Sequence, residues 1–263
     1  MILELLFLAL LIVGLCVLAY RGAVHEFQIL QKEYEPDTDW SEVLSEQLPL
    51  VIRGLPRPWV GGWSRAATTK RTWQVIVRSP EGRRMRTTWS NYLQTPAPRP
   101  VPENIAQVAE AAKLPYTFTN WGVEGLRRWS WLPVGSPEPF LLSKGQTAGV
   151  KKGVAEFTAI VATDGVPLDI WIAHEGAIPT HVADELVGKD PWIQTAEEIA
   201  WIGDVKFIEV RLRPGNALLL PRHWWYALRP SADSPDADTD AWGWVGHFHT
   251  PVSYVAAKLR KEE

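Results

Sequence analysis

Short runs of apolar residues, separated by turn-forming residues, recur along most of the chain after residue 47. The runs are rich in Val, Ile, Leu, Phe and Trp, and their lengths of about four to eight residues are typical of β-strands. The pattern predicts strands at residues 48–55, 74–78, 84–87, 157–162, 168–173, 205–212, 217–220 and 242–249. Because several short strands with turns between them are typical of β-sandwiches and barrels, we expect a mainly β domain.

A helical pattern occurs in a few places between these strands. Residues 88–93 predict a short helix, and residues 103–113 combine good helix formers with an apolar stripe. A stretch with four prolines (95–102) and an acidic, turn-rich stretch (231–240) predict exposed loops. We therefore expect a few helices that flank the β structure.

The first twenty residues differ from the rest of the chain. Residues 5–20 carry no charge, and a run of this length is close to the ~20 residues that a helix needs to cross a bilayer. We predict a single transmembrane anchor at residues 1–20. Because Arg21 and Lys32 follow the segment and no basic residue precedes it, the positive-inside rule favours a cytosolic location for the rest of the chain.

A cleaved signal peptide is the alternative interpretation of the same segment. Val17-Leu18-Ala19 would serve as a cleavage site, but the region before the apolar run contains Glu4 and no Lys or Arg. A lipoprotein signal fits poorly, since Leu15 precedes Cys16 where a small residue is needed. The anchor therefore fits this segment better than a cleaved signal or a lipoprotein signal does.

Composition limits the classes of partner. A formal net charge of −3 argues against nucleic acid, which requires a concentrated basic surface. The single cysteine, Cys16, rules out an intrachain disulfide. The chain has fifteen tryptophans, a residue enriched in cores and at protein interfaces, so a Trp-rich surface is a candidate site for a protein partner.

Three stretches resemble the cupin-like proteins that are related to the jumonji-type oxygenases. Residues 48–55 (LPLVIRGL) resemble that family's first strand, and residues 157–173 are similar to a strand–turn–strand unit that turns at Gly165. The most specific match is residues 213–226 (RPGNALLLPRHWWY), which resemble the family's last metal-binding strand. The resemblance implies a double-stranded β-helix (a cupin or jelly-roll barrel) with flanking helices, and we assign the cupin-like domain to residues 37–256.

The remaining boundaries follow from that assignment. Residues 21–36 are interpreted as a juxtamembrane stalk between the anchor and the domain, and residues 257–263 as a charged C-terminal tail.

The resemblance also implies where active members would hold Fe(II). They use a His-x-Asp/Glu pair on an early strand and a second His on a late strand, which leaves positions for 2-oxoglutarate and oxygen. The family spacing places these ligands at Lys152, Val154 and Tyr226. An ammonium repels a cation and a neutral phenol is a poor ferrous ligand, so we expect no metal and no cofactor. If Lys152 points inward, its charge is a candidate contact for an anion.

Other histidines offer a relocated metal site. His247 and His249 have the alternate spacing that places two rings on one face of a strand, and His223 lies near the late strand. His174-Glu175 and His181 follow the second strand pair. Isolated histidines more commonly satisfy local hydrogen bonds, so the set His223, His247 and His249 is a minor alternative.

Three functions remain open from the sequence. The expected one is a non-catalytic, membrane-anchored cupin-like domain, a pseudoenzyme that acts in binding or assembly. The second is a divergent oxygenase, a hydroxylase or demethylase that depends on Fe(II) and 2-oxoglutarate. The third is a cupin that binds or acts on a sugar or a small anion, because a fold does not determine a function.

Overall fold

The computed structural model describes residues 11–12, 28–35, 37–56, 72–78, 83–96, 99–100, 102–111, 138–192, 205–233 and 240–250. The strands are β1 (Leu30–Glu33), β2 (Leu50–Arg53), β3 (Gln74–Arg78), β4 (Arg84–Thr88), β5 (Glu138–Leu142), β6 (Ala148–Lys152), β7 (Phe157–Gly165), β8 (Leu168–His174), β9 (Ile208–Leu212), β10 (Asn216–Pro221), β11 (Trp224–Pro230) and β12 (Ala241–Phe248). The helices are α1 (Trp40–Ser45), α2 (Trp89–Gln94), α3 (Ile105–Ala111) and α4 (Thr180–Leu186), and a 3-10 turn spans Glu175–Ala177. The prediction of a mainly β chain with a few helices is confirmed.

The strands form two large sheets and one hairpin. The six-stranded sheet has the order β1-β2-β10-β7-β12-β5, the four-stranded sheet has the order β6-β11-β8-β9, and β3 pairs with β4. β1 pairs with β2 in parallel, and the other pairs are antiparallel. Consecutive strands therefore repeatedly cross from one sheet to the other.

The main core lies between the two large sheets. Side chains from both sheets form one buried apolar cluster, to which β10 contributes Leu218 and Leu220 and β11 contributes Trp224 and Tyr226. The alternate residues of β10, including Leu219, belong to a second cluster on the other face of the six-stranded sheet. β10 is apolar throughout because both of its faces are covered, as its sequence predicts.

The outer faces of both sheets are covered by helices. α1 packs Trp40 and Leu44 against the six-stranded sheet. α4 packs Val182 and Leu186 against the four-stranded sheet, together with Trp225 of β11. The side chains of β11 thus alternate between the core, which contains Trp224 and Tyr226, and the outer face, which carries Trp225.

The N-terminal boundary differs from the expected one. β1 lies in the segment 21–36 that was interpreted as a stalk, and its pairing makes it an edge strand of the six-stranded sheet. The predicted anchor at residues 1–20 lies outside the described residues except for Leu11 and Ile12, and the tail 257–263 lies outside them entirely. Within the described part of the chain, no helix has the length and apolarity to cross a membrane.

Candidate functional site

Polar side chains from four segments of the chain meet at one end of the two sheets. Lys152 is the last residue of β6, and His174 is the last residue of β8, directly before Glu175. His223 lies in the two-residue connection between β10 and β11, at the place where the chain crosses from one sheet to the other. We call Lys152, His174, Glu175 and His223 the Glu175 cluster.

Glu175 joins this cluster through both of its carboxylate oxygens. Oε1 accepts a hydrogen bond from Lys152 Nζ, and Oε2 lies 2.7 Å from His223 Nδ1. The Glu175 backbone N–H also donates to the His223 carbonyl at 2.8 Å. The carboxylate and the main chain of Glu175 therefore fix both the position of the crossover and the orientation of the imidazole.

His223 has an unusual backbone conformation for a residue with a side chain. Its φ of 73° lies in the left-handed region, which costs a non-glycine residue of order 1–3 kcal/mol. A carboxylate only accepts hydrogen bonds, so Nδ1 of His223 donates to Glu175. In the neutral ring this leaves Nε2 with a lone pair, and the side chain is half exposed. Nε2 can therefore accept a proton or a hydrogen bond from a ligand.

His174 occupies the inner side of the same sheet end. Its Nδ1 accepts a hydrogen bond from the Gly176 N–H at 3.1 Å, and its ring meets the edge of Trp224 with centroids 5.4 Å apart. Burial lowers the pKa of His174, and the nearby His223 lowers it further, while Glu175 opposes the shift. The neutral ring is therefore the form that the fold favours.

The charges of the cluster are partly balanced. Burial acts to raise the pKa of Glu175, but hydrogen bonds from Lys152 and His223 and their charges outweigh burial, so the pKa is lowered. Lys152 also lies over the ring of Trp225, 5.4 Å from the centroid. The Glu175 cluster can therefore orient the imidazole of His223 for proton exchange or for binding a small polar group.

The predicted ligand positions do not converge. Lys152 lies opposite Trp225 in the β6–β11 ladder, and both are on the outer face of the four-stranded sheet. Tyr226 is in the core between the sheets. Lys152 therefore points away from the intersheet space, and its charge is paired with Glu175. Val154 follows β6 outside the strand and is half buried.

The residue that shares the inner face with Tyr226 is Lys151. The two lie opposite each other in the ladder, and Lys151 Nζ is 3.4 Å from Glu138 Oε2. Tyr226 is 1% exposed, and burial together with the charge of Glu138 raises the pKa of its phenol. Lys152, which the spacing of the resemblance gives as a ligand position, therefore lies on the opposite face of the sheet from Tyr226, because successive residues of a strand alternate between faces.

The relocated histidines do not form a metal centre. His247 Nδ1 lies 3.4 Å from Thr158 Oγ1, and the rings of His247 and His249 are 6.4 Å apart, while His223 contacts Glu175. Across the residues that the structure describes, no group of three His, Cys, Asp or Glu side chains is placed to hold a metal ion.

Sequence reasoning missed the central role of Glu175 and the inward face of Lys151. Glu175 was noted only as the neighbour of His174, because its partners are distant in sequence. Nothing local indicates the face of Lys151, because the buried Val150 beside it packs on the outer face of the four-stranded sheet and not in the core between the sheets.

No protein-family model matches this chain, and no curated protein matches it significantly.

Proposed function

We propose that this chain is a membrane-anchored, cupin-like domain that binds a ligand or a partner and does not catalyse iron-dependent oxygenation. The proposal has three parts: the double-stranded β-helix, the loss of the iron site and the anchor. Each part has its own support and its own test.

The strand order supports a double-stranded β-helix. Of the eight strands from β5 to β12, β5, β7, β10 and β12 belong to the six-stranded sheet, and β6, β8, β9 and β11 belong to the four-stranded sheet. Such crossing between two packed antiparallel sheets is typical of eight-stranded jelly rolls. The segment that most resembles the cupin-like family, residues 213–226, contains β10, the crossover and the start of β11.

The observation that carries the non-catalytic interpretation is the pair formed by Lys151 and Tyr226. The resemblance places a histidine at the position of Tyr226, and Lys151, which lies opposite it in the ladder, carries a half-exposed ammonium group that pairs with Glu138. A phenol with a raised pKa stays neutral at physiological pH, and an ammonium repels Fe(II). The residues present therefore do not fit the metal of the active members.

The anchor is supported by the sequence of residues 5–20, which contains no charged residue. With this segment in a bilayer, the β domain would be displayed at the membrane surface. Such a placement suits a binding or assembly role, because it restricts the domain to partners near that surface.

Metal and cosubstrate binding test the proposal directly. The full chain, purified in lipid nanodiscs, is incubated anaerobically with Fe(II), freed of excess metal and analysed for iron, and 2-oxoglutarate is titrated by calorimetry. We expect less than stoichiometric iron and no heat from 2-oxoglutarate. Stoichiometric iron with micromolar binding of 2-oxoglutarate would establish the oxygenase instead.

A second candidate function is binding of a small anion or a sugar at the Glu175 cluster. The observation that favours it is the half-exposed imidazole of His223, which Glu175 orients with Nε2 available. Chemical shifts of the His223 ring, measured by NMR during titration with inorganic phosphate, acetate or glucose, test it. A saturable shift that is absent from a Glu175→Gln variant supports this function, and unchanged shifts with all three probes exclude them as ligands.

A further inference from the structure

The first described strand begins at the same end of the sheets as the Glu175 cluster. Leu30 of β1 lies opposite Leu50 of β2, and Leu50 lies opposite Leu219 of β10. Two residues after Leu219, the chain leaves β10 and enters the crossover that contains Arg222 and His223. The chain therefore enters the folded domain at the cluster's end.

β1 then runs toward the opposite end. Its last residue, Glu33, lies opposite Arg53, and the Leu55 N–H donates to the Gly215 carbonyl at 2.9 Å. Gly215 directly precedes β10 and lies two residues after the exposed Arg213. Arg213 and Arg222 thus mark opposite ends of one strand, about 20 Å long for its six residues.

Little chain connects the predicted anchor to β1. Residues 21–29 separate the apolar segment from Leu30, and a fully extended chain from residue 20 to residue 30 spans at most roughly 35 Å. A membrane at the opposite end of the domain would require these residues to run back along the whole of β1. More than half of the ~35 Å that these residues can span would then be needed to cover the ~20 Å length of the sheet.

We infer that the end of the domain that carries the Glu175 cluster faces the surface of the bilayer in which the chain is anchored. This inference rests on the anchor in the proposed function. In this orientation the Glu175 cluster faces the lipid headgroups, and His223 and the exposed Arg222 would contact them directly. The opposite end, which carries Arg213 and the exposed Lys144, faces away from the membrane.

Site-directed quenching in nanodiscs tests this orientation. A Cys16→Ser chain has no other cysteine, so a single fluorophore can be attached at Arg222→Cys or at the matched positions Arg213→Cys and Lys144→Cys. The nanodiscs contain a fraction of lipids with nitroxide-labelled headgroups. We expect quenching at position 222 to be at least severalfold stronger than at positions 213 and 144.

The outcomes separate the inference from the proposal on which it rests. Before labelling, each variant is floated with liposomes and its unfolding is compared with that of the Cys16→Ser parent. A chain that does not float refutes the anchor, and the inference with it. A chain that floats but shows equal quenching at the three positions, or stronger quenching at 213 and 144, refutes the orientation alone. Because positions 213 and 144 both lie at the end opposite the Glu175 cluster, one of them still provides the comparison if the other variant fails to fold.

Discussion

Lys151 and Tyr226 lie directly opposite each other on the neighbouring antiparallel strands β6 and β11, whereas Lys152 lies on the reverse face of the same sheet. Lys151 and Tyr226 border the space between the two large sheets. Lys152 instead joins Glu175 and His223 at the sheet end. Two adjacent lysines therefore have separate environments, and only Lys151 faces Tyr226, one of the three positions where the resemblance places a metal ligand.

The register of β6 can be tested by building a metal site into it. In a Lys151→His, Tyr226→His variant the two imidazoles would be directly opposite, with Cβ atoms about 5 Å apart. We expect this variant to bind Ni(II) at least tenfold more tightly than the parent chain, a gain of about 1.4 kcal/mol. Calorimetric titration of Ni(II) measures the affinity.

The matched control differs by one residue. A Lys152→His, Tyr226→His variant has the same composition, but its two imidazoles lie on opposite faces of the sheet. It should bind Ni(II) no better than the parent. Equal affinities for the two double variants would show that the register is wrong.

The sequence predicts the strands better than it predicts their faces. β10 is apolar at four successive positions, from Ala217 to Leu220, and that run identifies a strand buried on both sides. β6 contains Lys151-Lys152, which has no alternation between apolar and polar residues, so nothing local assigns either lysine to a face. β1 was missed because its sequence, LQKE, is mostly polar and is held by pairing at the edge of the sheet.

The Glu175 cluster could not be predicted for a different reason. Lys152, Glu175 and His223 are brought together only by the packing of β6, β8 and the crossover between the sheets. The spacing of these three residues along the chain does not predict their contacts. The left-handed conformation of His223 is likewise visible only in the folded chain.

Replacing Glu175 with Gln should release the ring of His223. A Glu175→Gln variant loses the charge that holds the proton on Nδ1, so we expect the Nε2-protonated tautomer of His223 to increase, as measured by ring 15N chemical shifts. Because the three side chains are 25–50% exposed, the loss in unfolding free energy should be at most about 1 kcal/mol. Glu209→Gln on β9, an exposed position, is the matched control and should change neither quantity.

His174 should make the domain less stable in mild acid. Its pKa is lowered in the folded chain, so below pH ~6.5 the unfolded chain binds the proton more readily and stability falls with pH. A His174→Asn variant keeps an acceptor for the Gly176 N–H but cannot titrate there. Urea denaturation from pH 7 to pH 5 should show a shallower decline for this variant, by at most about 1.4 kcal/mol per pH unit.

An exposed histidine provides the comparison for this experiment. His181 lies on the surface of α4, and a His181→Asn variant is the matched control for the substitution itself, which should leave the unfolding free energy at pH 7 unchanged within about 0.5 kcal/mol. The lowered pKa of Glu175 affects stability only below its ordinary value of about 4.5, outside the measured range. A His174→Asn variant whose stability falls as steeply as that of the parent between pH 7 and pH 5 would contradict the assignment to His174.

Asp240 and Arg99 form a buried ion pair at the end of the sheets far from the Glu175 cluster, and replacing Asp240 should destabilise the domain. Asp240 is 3% exposed, accepts a hydrogen bond from Ser143 Oγ at 2.9 Å and pairs with the guanidinium of Arg99, which is itself buried. Burial raises the pKa of Asp240, and the bonds from Ser143 and Arg99 only partly oppose it. An Asp240→Asn variant removes that penalty but leaves Arg99 buried without its counter-ion, so we expect a loss of about 3 kcal/mol, at the lower end for broken buried pairs.

A double variant separates the charge effect from the packing effect. Asp240→Asn with Arg99→Met removes both charges while keeping most of the buried volume, and such replacements are commonly neutral. We expect it to recover most of the stability that Asp240→Asn loses, as measured by urea denaturation. Asp233→Asn, whose carboxylate is 73% exposed and pairs with Arg211, should cost no more than about 0.5 kcal/mol. A double variant less stable than Asp240→Asn alone would show that Arg99 stabilises this end of the sheets through packing and its bond to the Thr95 carbonyl rather than through Asp240.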